Sequence, residues 1–315
     1  MAQVSTTNAG PVNTQNQVLR RLKKSRWLYL MFLPVILYYA IFKYAPMFGI
    51  VIAFKDYNAF IGVADSPWVG LKHFRSFFNS IYAGRLIRNT FLISFYGLIF
   101  GFPAPILLAI LMNELKDGVF KKSVQTISYL PHFVSTVIIC GMYANFLSPS
   151  TGLINNIIEL MGGTRTYFLN DPQYFRRLYV IMGIWQGVGW GSIIYLAALT
   201  NIDVELYEAC VIDGGGRIRQ TMHITLPGIL PTISIMLIMR IGNLLSVGSE
   251  SIILLYVPAT YETADVISTY VYRRGLVEAD YSFSAAVGLF NSVVALVLIS
   301  IANEVSKRAS ETSLW

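Results

Sequence analysis

The chain has 315 residues, room for about two soluble domains of roughly 150 residues each, yet 55% of it is hydrophobic and only 13% charged, against about 25% charged in an ordinary soluble protein. A mean hydropathy of +0.55 excludes two soluble domains, and 14% aromatic residues exclude disorder for the bulk of the chain. The net charge of +7 and pI near 9.3 would suit a nucleic-acid partner in a polar protein; in one this apolar they belong to the basic flanks of a polytopic membrane protein, and no nucleic acid is expected.

Residues 1–26 read as a disordered tail, polar as far as residue 19 and then basic at Arg20, Arg21, Lys23, Lys24 and Arg26. This cluster runs straight into Trp27-Leu28-Tyr29-Leu30, with no small-residue cleavage site behind it, so it reads as an uncleaved anchor. Six segments reach the ~20 residues that a spanning helix needs: 27–45, 89–112, 126–147, 178–200, 228–247 and 283–302. Each is predicted helical, because in hydrocarbon a segment must satisfy its own backbone polar groups. The expected fold is all-α: a polytopic bundle of six transmembrane helices over 27–306, with a long loop at 201–226 and a C-terminal tail at 307–315.

Pro34, Pro103, Pro105, Pro131 and Pro231 fall in or near spans and imply kinks or helix starts. The apolar runs Met47–Phe54 and Ile252–Val257 are too short to span and read as extensions or external packing elements. Lys and Arg divide almost evenly between the two sides, so orientation rests on the dense tail cluster and on the short loop 113–125 with Lys116, Lys121 and Lys122; both termini come out cytoplasmic. Gly97 and Gly101, and Gly183, Gly187 and Gly191, repeat every four residues, a pattern that reads as close helix packing rather than as a hinge.

The loop 201–226 is the longest connection on the cytoplasmic side, and it is net acidic where such loops are usually basic: Asp203, Glu205, Glu208 and Asp213 stand against Arg217 and Arg219. Val204, Tyr207/Glu208 and Val211 share a helix face. Asp213-Gly214-Gly215-Gly216 then breaks the helix. A second short helix is expected from Arg217, and Pro227 fits the first turn of the fifth span. A helix exposed in this way, unable to bury itself in its own domain, is a docking element.

At this point the residues resemble a known family. Glu208-Ala209-Cys210, Asp213-Gly214-Gly215 and Ile224-Thr225-Leu226-Pro227 are similar, without a gap, to the EAA motif of permease subunits of type I ABC importers. The departures are Cys210 and Gly215 where alanines are typical, and Ile218 and Thr221 where aromatics are common. Outside the motif, Ile41-Phe42-Lys43-Tyr44-Ala45-Pro46-Met47-Phe48-Gly49, Trp68-Val69-Gly70-Leu71-Lys72-His73-Phe74, Arg88-Asn89-Thr90 and Thr269-Tyr270-Val271-Tyr272-Arg273 resemble the polysaccharide and oligosaccharide branch. The resemblance implies a heterodimeric carbohydrate permease in the bacterial cytoplasmic membrane, with a second permease subunit, a cytoplasmic ATPase dimer and an extracytoplasmic solute-binding lipoprotein as partners. It implies that the loop is a coupling helix: Glu208 and Ala209 would face the ATPase, Asp213, Gly214 and Gly215 would shape the turn, and Leu226 and Pro227 would lead into the span.

Polar and aromatic groups at membrane depth are candidates for the substrate path. Trp185, Gln186 and Trp190 occupy the fourth span, Tyr143 and Asn145 the third. In the fifth, Arg240 precedes Asn243, Ser246 and Glu250, which would share one face of a continuous helix. For each, a satisfied bundle contact or interfacial anchor is the competing explanation. Lys43 and Arg240 admit a substrate carrying uronic acids, although pairing with a carboxylate of the chain is the preferred reading.

His73, His132 and His223 fall in separate segments and form no metal set, the two cysteines Cys140 and Cys210 form no framework, and no cofactor is expected. No G-x-x-x-x-G-K-S/T sequence occurs, so the chain is not expected to hydrolyse ATP itself. An ion-coupled secondary transporter or channel is the alternative; it would need an internal repeat or ion-coupling acids within spans, and only Glu250 comes near that.

Overall fold

The computed structural model describes residues 25–245 and 247–310. The cluster Arg20, Arg21, Lys23 and Lys24, position 246 and the last five residues lie outside the described residues. The chain forms two compact units divided after Val51. Among the described residues, five helices are long and apolar enough to cross a membrane, or six if one bent pair counts as a single span. Among the described residues there is no strand, only an isolated bridge between Lys55 and Trp68.

Helix α1 (Arg26–Phe54) has no buried side chain from Arg26 to Met47. It is apolar all round, as suits a hydrocarbon solvent. The run 47–54 is its continuation rather than a separate element. A π segment, Ala40–Tyr44, directly precedes Ala45-Pro46. The cause is proline chemistry: the Pro46 ring displaces the carbonyl four residues earlier, and one wider turn absorbs it. Thr221–Thr225 repeats the device just before Leu226-Pro227.

In the second unit, α2 (Lys72–Phe78) precedes α3 (Ala83–Ile99) and α4 (Pro103–Asn113), which together make one 31-residue span. The third expected span is not a straight helix. Helix α5 (Val119–Tyr129) runs through a 3-10 turn at Leu130–Phe133, and α6 (Thr136–Phe146) leaves at 105°. Pro131 withholds a donor inside the turn, and the Ser135 side chain accepts from the Ile138 N–H to start α6 afresh. Hydropathy over 126–147 is blind to such a break.

Helix α7 (Leu153–Leu160) lies between α6 and the long α8 (Pro172–Leu199), which starts with Asp171 accepting from the Gln173 N–H at 2.9 Å and Pro172 in its first turn. Helix α9 (Val204–Ile212) is followed by α10 (Arg217–Gly242), so the second short helix of the loop and the fifth span are one 26-residue element. Helix α11 (Ser249–Leu255) is a correction to expectation: Ile252 and Leu255 are buried with Ile139, Cys140, Phe175 and Met182, so the run 252–257 is internal rather than external packing. Helices α12 (Ile267–Tyr272) and α13 (Tyr281–Ser310) complete the unit.

Helix α8 is the central post, packed chiefly on α4, while α10 packs on α13. At one end Ile106, Ala109, Tyr195, Leu199 and Ile229 form a core. At the other Phe77, Leu86, Ile267, Phe283 and Val287 form a second. The glycine ridges divide in use. A Cβ on Gly191 would touch Pro105 at 3.0 Å, and one on Gly189, outside the repeat, would fall on the Ser128 carbonyl. A Cβ on Gly183 or Gly187 would meet nothing within 4 Å, so these two are not packing contacts.

Candidate functional site

Two regions are candidates for function: the 201–226 loop and a cavity among α3, α4, α8 and α10. In the loop, the Asp203 side chain accepts from the Glu205 N–H at 3.0 Å and starts α9. Asp213 ends it. Gly214 follows at φ +75°, donating to the Val211 carbonyl at 3.0 Å, while Gly215 donates to the Cys210 carbonyl at 2.7 Å. This double bond pattern around a left-handed residue satisfies two orphan carbonyls of the last turn and needs glycine at 214. The departures Cys210 and Gly215 turn out to be neighbours: a Cβ on Gly215 would fall on the Cys210 sulfur.

Tyr207 meets the Thr225 hydroxyl at 3.1 Å and ties α9 to the start of α10. Arg217 reaches Glu114, at 3.7 Å, from the neighbouring loop. Among the described residues, no other side chain of α9 forms a hydrogen bond or ion pair. Glu208 and Ala209 are exposed, and so are Val204, Leu206, Val211 and Ile212, the last at 85%. Gly215 is buried, Leu226 half-buried and Pro227 exposed. The motif therefore begins on an exposed corner at α9 and ends inside α10.

The cavity has a volume of about 560 Å³ and is walled by Gly97, Phe102, Tyr179, Gly183, Tyr195 and Arg240 among others. Gln186 and Asn243 also line it, and a second space beside His132 and Ser135 shares Gly183, Gln186 and Gly187 with it. The two glycines without packing contacts thus open these spaces. The Arg240 guanidinium passes over Gly97, 3.8 Å from where a Cβ would stand.

No carboxylate among the described residues lies within ion-pair distance of Arg240 or Lys43, so the expected structural pairing is not found. Trp190 stacks on His132, centroids 4.7 Å apart, with Phe133 edge-on; it holds the bend of α5 and α6 and lies off the cavity wall. Trp185 is exposed and lines neither space. The face expected for Asn243 and Glu250 does not exist, because α10 ends at Gly242 and Glu250 belongs to α11, exposed and off the wall. Position 246 is outside the described residues. Tyr143 donates to the Leu178 carbonyl at 3.0 Å, a bundle contact. Sequence reasoning missed Phe102, Tyr179 and Tyr195. The available signal was the face Tyr179, Gly183, Gln186/Gly187, Gly191 and Tyr195, with small residues flanked by aromatics at helical spacing.

The family described as binding-protein-dependent transport system inner membrane component matches residues 101–311. The chain belongs to this family. This permease is 45% identical over 294 residues to protein LplB of Bacillus subtilis, covering 93% of this chain and 92% of that one. It is 44% identical over 301 residues to the polygalacturonan/rhamnogalacturonan transport system permease protein YteP of the same organism, covering 96% and 94%. Its structure matches a chain of a bacterial ABC transporter involved in the import of the acidic polysaccharide alginate, with TM-score 0.87 and 47% identity over 93% of this chain and 99% of that chain. The same likeness holds, over 94% of this chain, for the alginate transporter in complex with an alginate pentasaccharide-bound periplasmic protein. The permease is therefore a multi-pass transport subunit of the inner membrane, and the ion-coupled alternative is set aside.

Proposed function

We propose that this permease is one half of a heterodimeric importer that moves an acidic oligosaccharide, with both termini in the cytoplasm. The observation that carries the substrate class is Arg240: a guanidinium on the wall of a cavity inside a spanning bundle, with no carboxylate of its own among the described residues. A charge within a spanning segment costs up to about 2.5–3.5 kcal/mol on insertion scales, most at the helix centre, a cost that an incoming carboxylate offsets by charge-assisted hydrogen bonds. Phe102, Tyr179 and Tyr195 supply apolar ring surface for sugar faces, and Gln186 and Asn243 supply amide groups for hydroxyls. Two similar proteins, named for polygalacturonan/rhamnogalacturonan transport and alginate import, handle acidic polymers.

Work at this cavity requires energy from outside the chain. In this reading α9 seats in a cleft of a separate ATPase, with Glu208 against basic groups and Val204, Leu206 and Val211 against apolar ones. Closure of the ATPase dimer pushes α9; Gly214 sets the angle of the push, and the unbroken α10 carries it to Arg240 at its far end. The chain supplies no ATPase site of its own. A solute-binding lipoprotein delivers the saccharide at the opposite end. The test is ATP-driven uptake by the reconstituted full complex. Oligogalacturonate is expected to outcompete neutral oligogalactose, and Arg240→Gln to lower kcat/KM for the acidic oligomer about tenfold or more. Equal transport of both oligomers, or an unaffected Arg240→Gln variant, contradicts the substrate class.

A further inference from the structure

The fifth span stops short, and its break is held by side chains from three other elements. Helix α10 ends at Gly242 and α11 begins at Ser249. Non-helical backbone at membrane depth is tolerated where it is buried in protein or lines a cavity. Between the two helices the Ser94 hydroxyl of α3 donates to the Leu244 carbonyl, the Asn291 amide of α13 to the Leu245 carbonyl at 3.5 Å, and the Ser268 hydroxyl of α12 to the Val247 carbonyl at 3.2 Å. The end of α10 closes on itself: the Met239 carbonyl accepts from the backbone N–H of Asn243 at 3.3 Å and from its side-chain amide at 3.1 Å. The break is therefore pinned, carbonyl by carbonyl, to the elements around it.

What the break holds in place is Arg240, in the last turn of α10, where a cation also suits the negative end of the helix dipole. Its guanidinium lies against α3, with Nη2 3.8 Å from where a Cβ on Gly97 would stand. Ser94 and Gly97 are one turn apart and share a face of α3. Ser94, buried at 8% exposure, grips the backbone just past the end of α10, and Gly97 leaves the bed in which the charge lies. Gly97, Arg240 and Asn243 all line the cavity. One face of α3 thus fixes both the helix end and the group that it carries.

We propose that Ser94 and Gly97 are positioning residues that set the charge selectivity of the cavity, by fixing where the Arg240 guanidinium meets a uronic acid carboxylate. This rests on the acidic-substrate reading and names the residues on which its selectivity depends. A guanidinium presents its donors as a planar fork, so its pairing with a carboxylate is directional. A small shift of the α10 end spoils that pairing while leaving the cavity open to a neutral sugar.

The experiment reconstitutes the complete transporter in proteoliposomes and measures ATP-driven uptake of oligogalacturonate and of its carboxyl-reduced, neutral counterpart, each at saturating loaded binding protein. Ser94→Ala is expected to lower the charged-to-neutral uptake ratio about tenfold, with Ser94→Thr restoring most of it. Gly97→Ala, whose Cβ makes ordinary contact with the guanidinium, should shift the ratio less than about twofold, and Gly97→Val should lower it about tenfold. Because Ser94 acts through Arg240, adding Ser94→Ala to Arg240→Gln should lower the ratio no further. An unchanged ratio in Ser94→Ala and Gly97→Val, while Arg240→Gln lowers it, overturns the positioning role and leaves the acidic-substrate reading standing. A loss shared equally by both oligomers overturns it as well, and so does a further fall in the double variant. If Ser94→Ala does not fold, Gly97→Val decides. A wild-type transporter indifferent to the carboxyls, or a ratio untouched by Arg240→Gln, overturns the parent reading instead.

Discussion

The two ends of the second unit are built on opposite principles. Around Asp265 every element is tied to another by a buried polar group: Asn89 joins α3 to the 262–265 segment and to α8, Thr90 accepts from the Ile267 N–H at 3.0 Å, and Arg273 lies over the Tyr261 ring at 4.9 Å. Around α9, among the described residues, the side-chain ties between elements are Tyr207–Thr225 and Arg217–Glu114, and Val204, Leu206, Val211 and Ile212 are exposed. One end is completed by its own sequence; under the proposed function the other is completed by the ATPase. The difference teaches where rigidity and motion belong: a lever has to be stiff along α10 and unattached at its working face.

The largest effect is expected at the closed end. Asp265→Ala leaves two partly buried arginines, Arg85 and Arg273, without their carboxylate, which costs about 3 kcal/mol and should appear as a marked fall in the thermal midpoint of the purified protein in detergent. Next come the glycines of α8. Gly189→Ala drives a methyl into the Ser128 carbonyl and should cost about 1–3 kcal/mol, whereas Gly187→Ala, with open space around it, should leave stability unchanged while narrowing both cavities. At the open end, Gly214→Ala strains a left-handed residue by about 1 kcal/mol. It should leave the melting curve almost in place while uncoupling ATP hydrolysis from uptake.

The smallest effect concerns the 147–171 segment. Arg165 hydrogen-bonds the Glu159 carboxylate and holds its pKa below the usual range. A depressed carboxylate stabilises above its unfolded pKa and loses that contribution as pH falls through the native one. Hydrogen exchange in 147–171 should therefore quicken on acidification below about pH 4, and Glu159→Gln should remove the pH dependence.

The open end was the more legible in sequence. Its helix, its glycine corner and its proline are local signals, each within a few residues of the next. The closed end was hidden because its partners lie far apart in the chain: Arg85 and Asp265 are separated by 180 positions, and no periodicity connects them. The third span misled for a related reason. Hydropathy counts apolar residues and cannot register that Pro131 turns the chain by 105°. The substrate face of the fifth span failed because α10 stops at Gly242, while on α8 the informative residues were the glycines, which signal both contact and open space.

The most direct test places a photocrosslinking amino acid at Ile212 on α9 and, in a second variant, at Phe60, 98% exposed in the 55–71 loop. Both are introduced into the complete transporter with its binding protein bound. The account predicts that position 212 crosslinks to the ATPase subunit, with a yield that changes on ATP addition, and that position 60 never does. Crosslinking of position 212 to the solute-binding protein, or to no subunit at all, would contradict it.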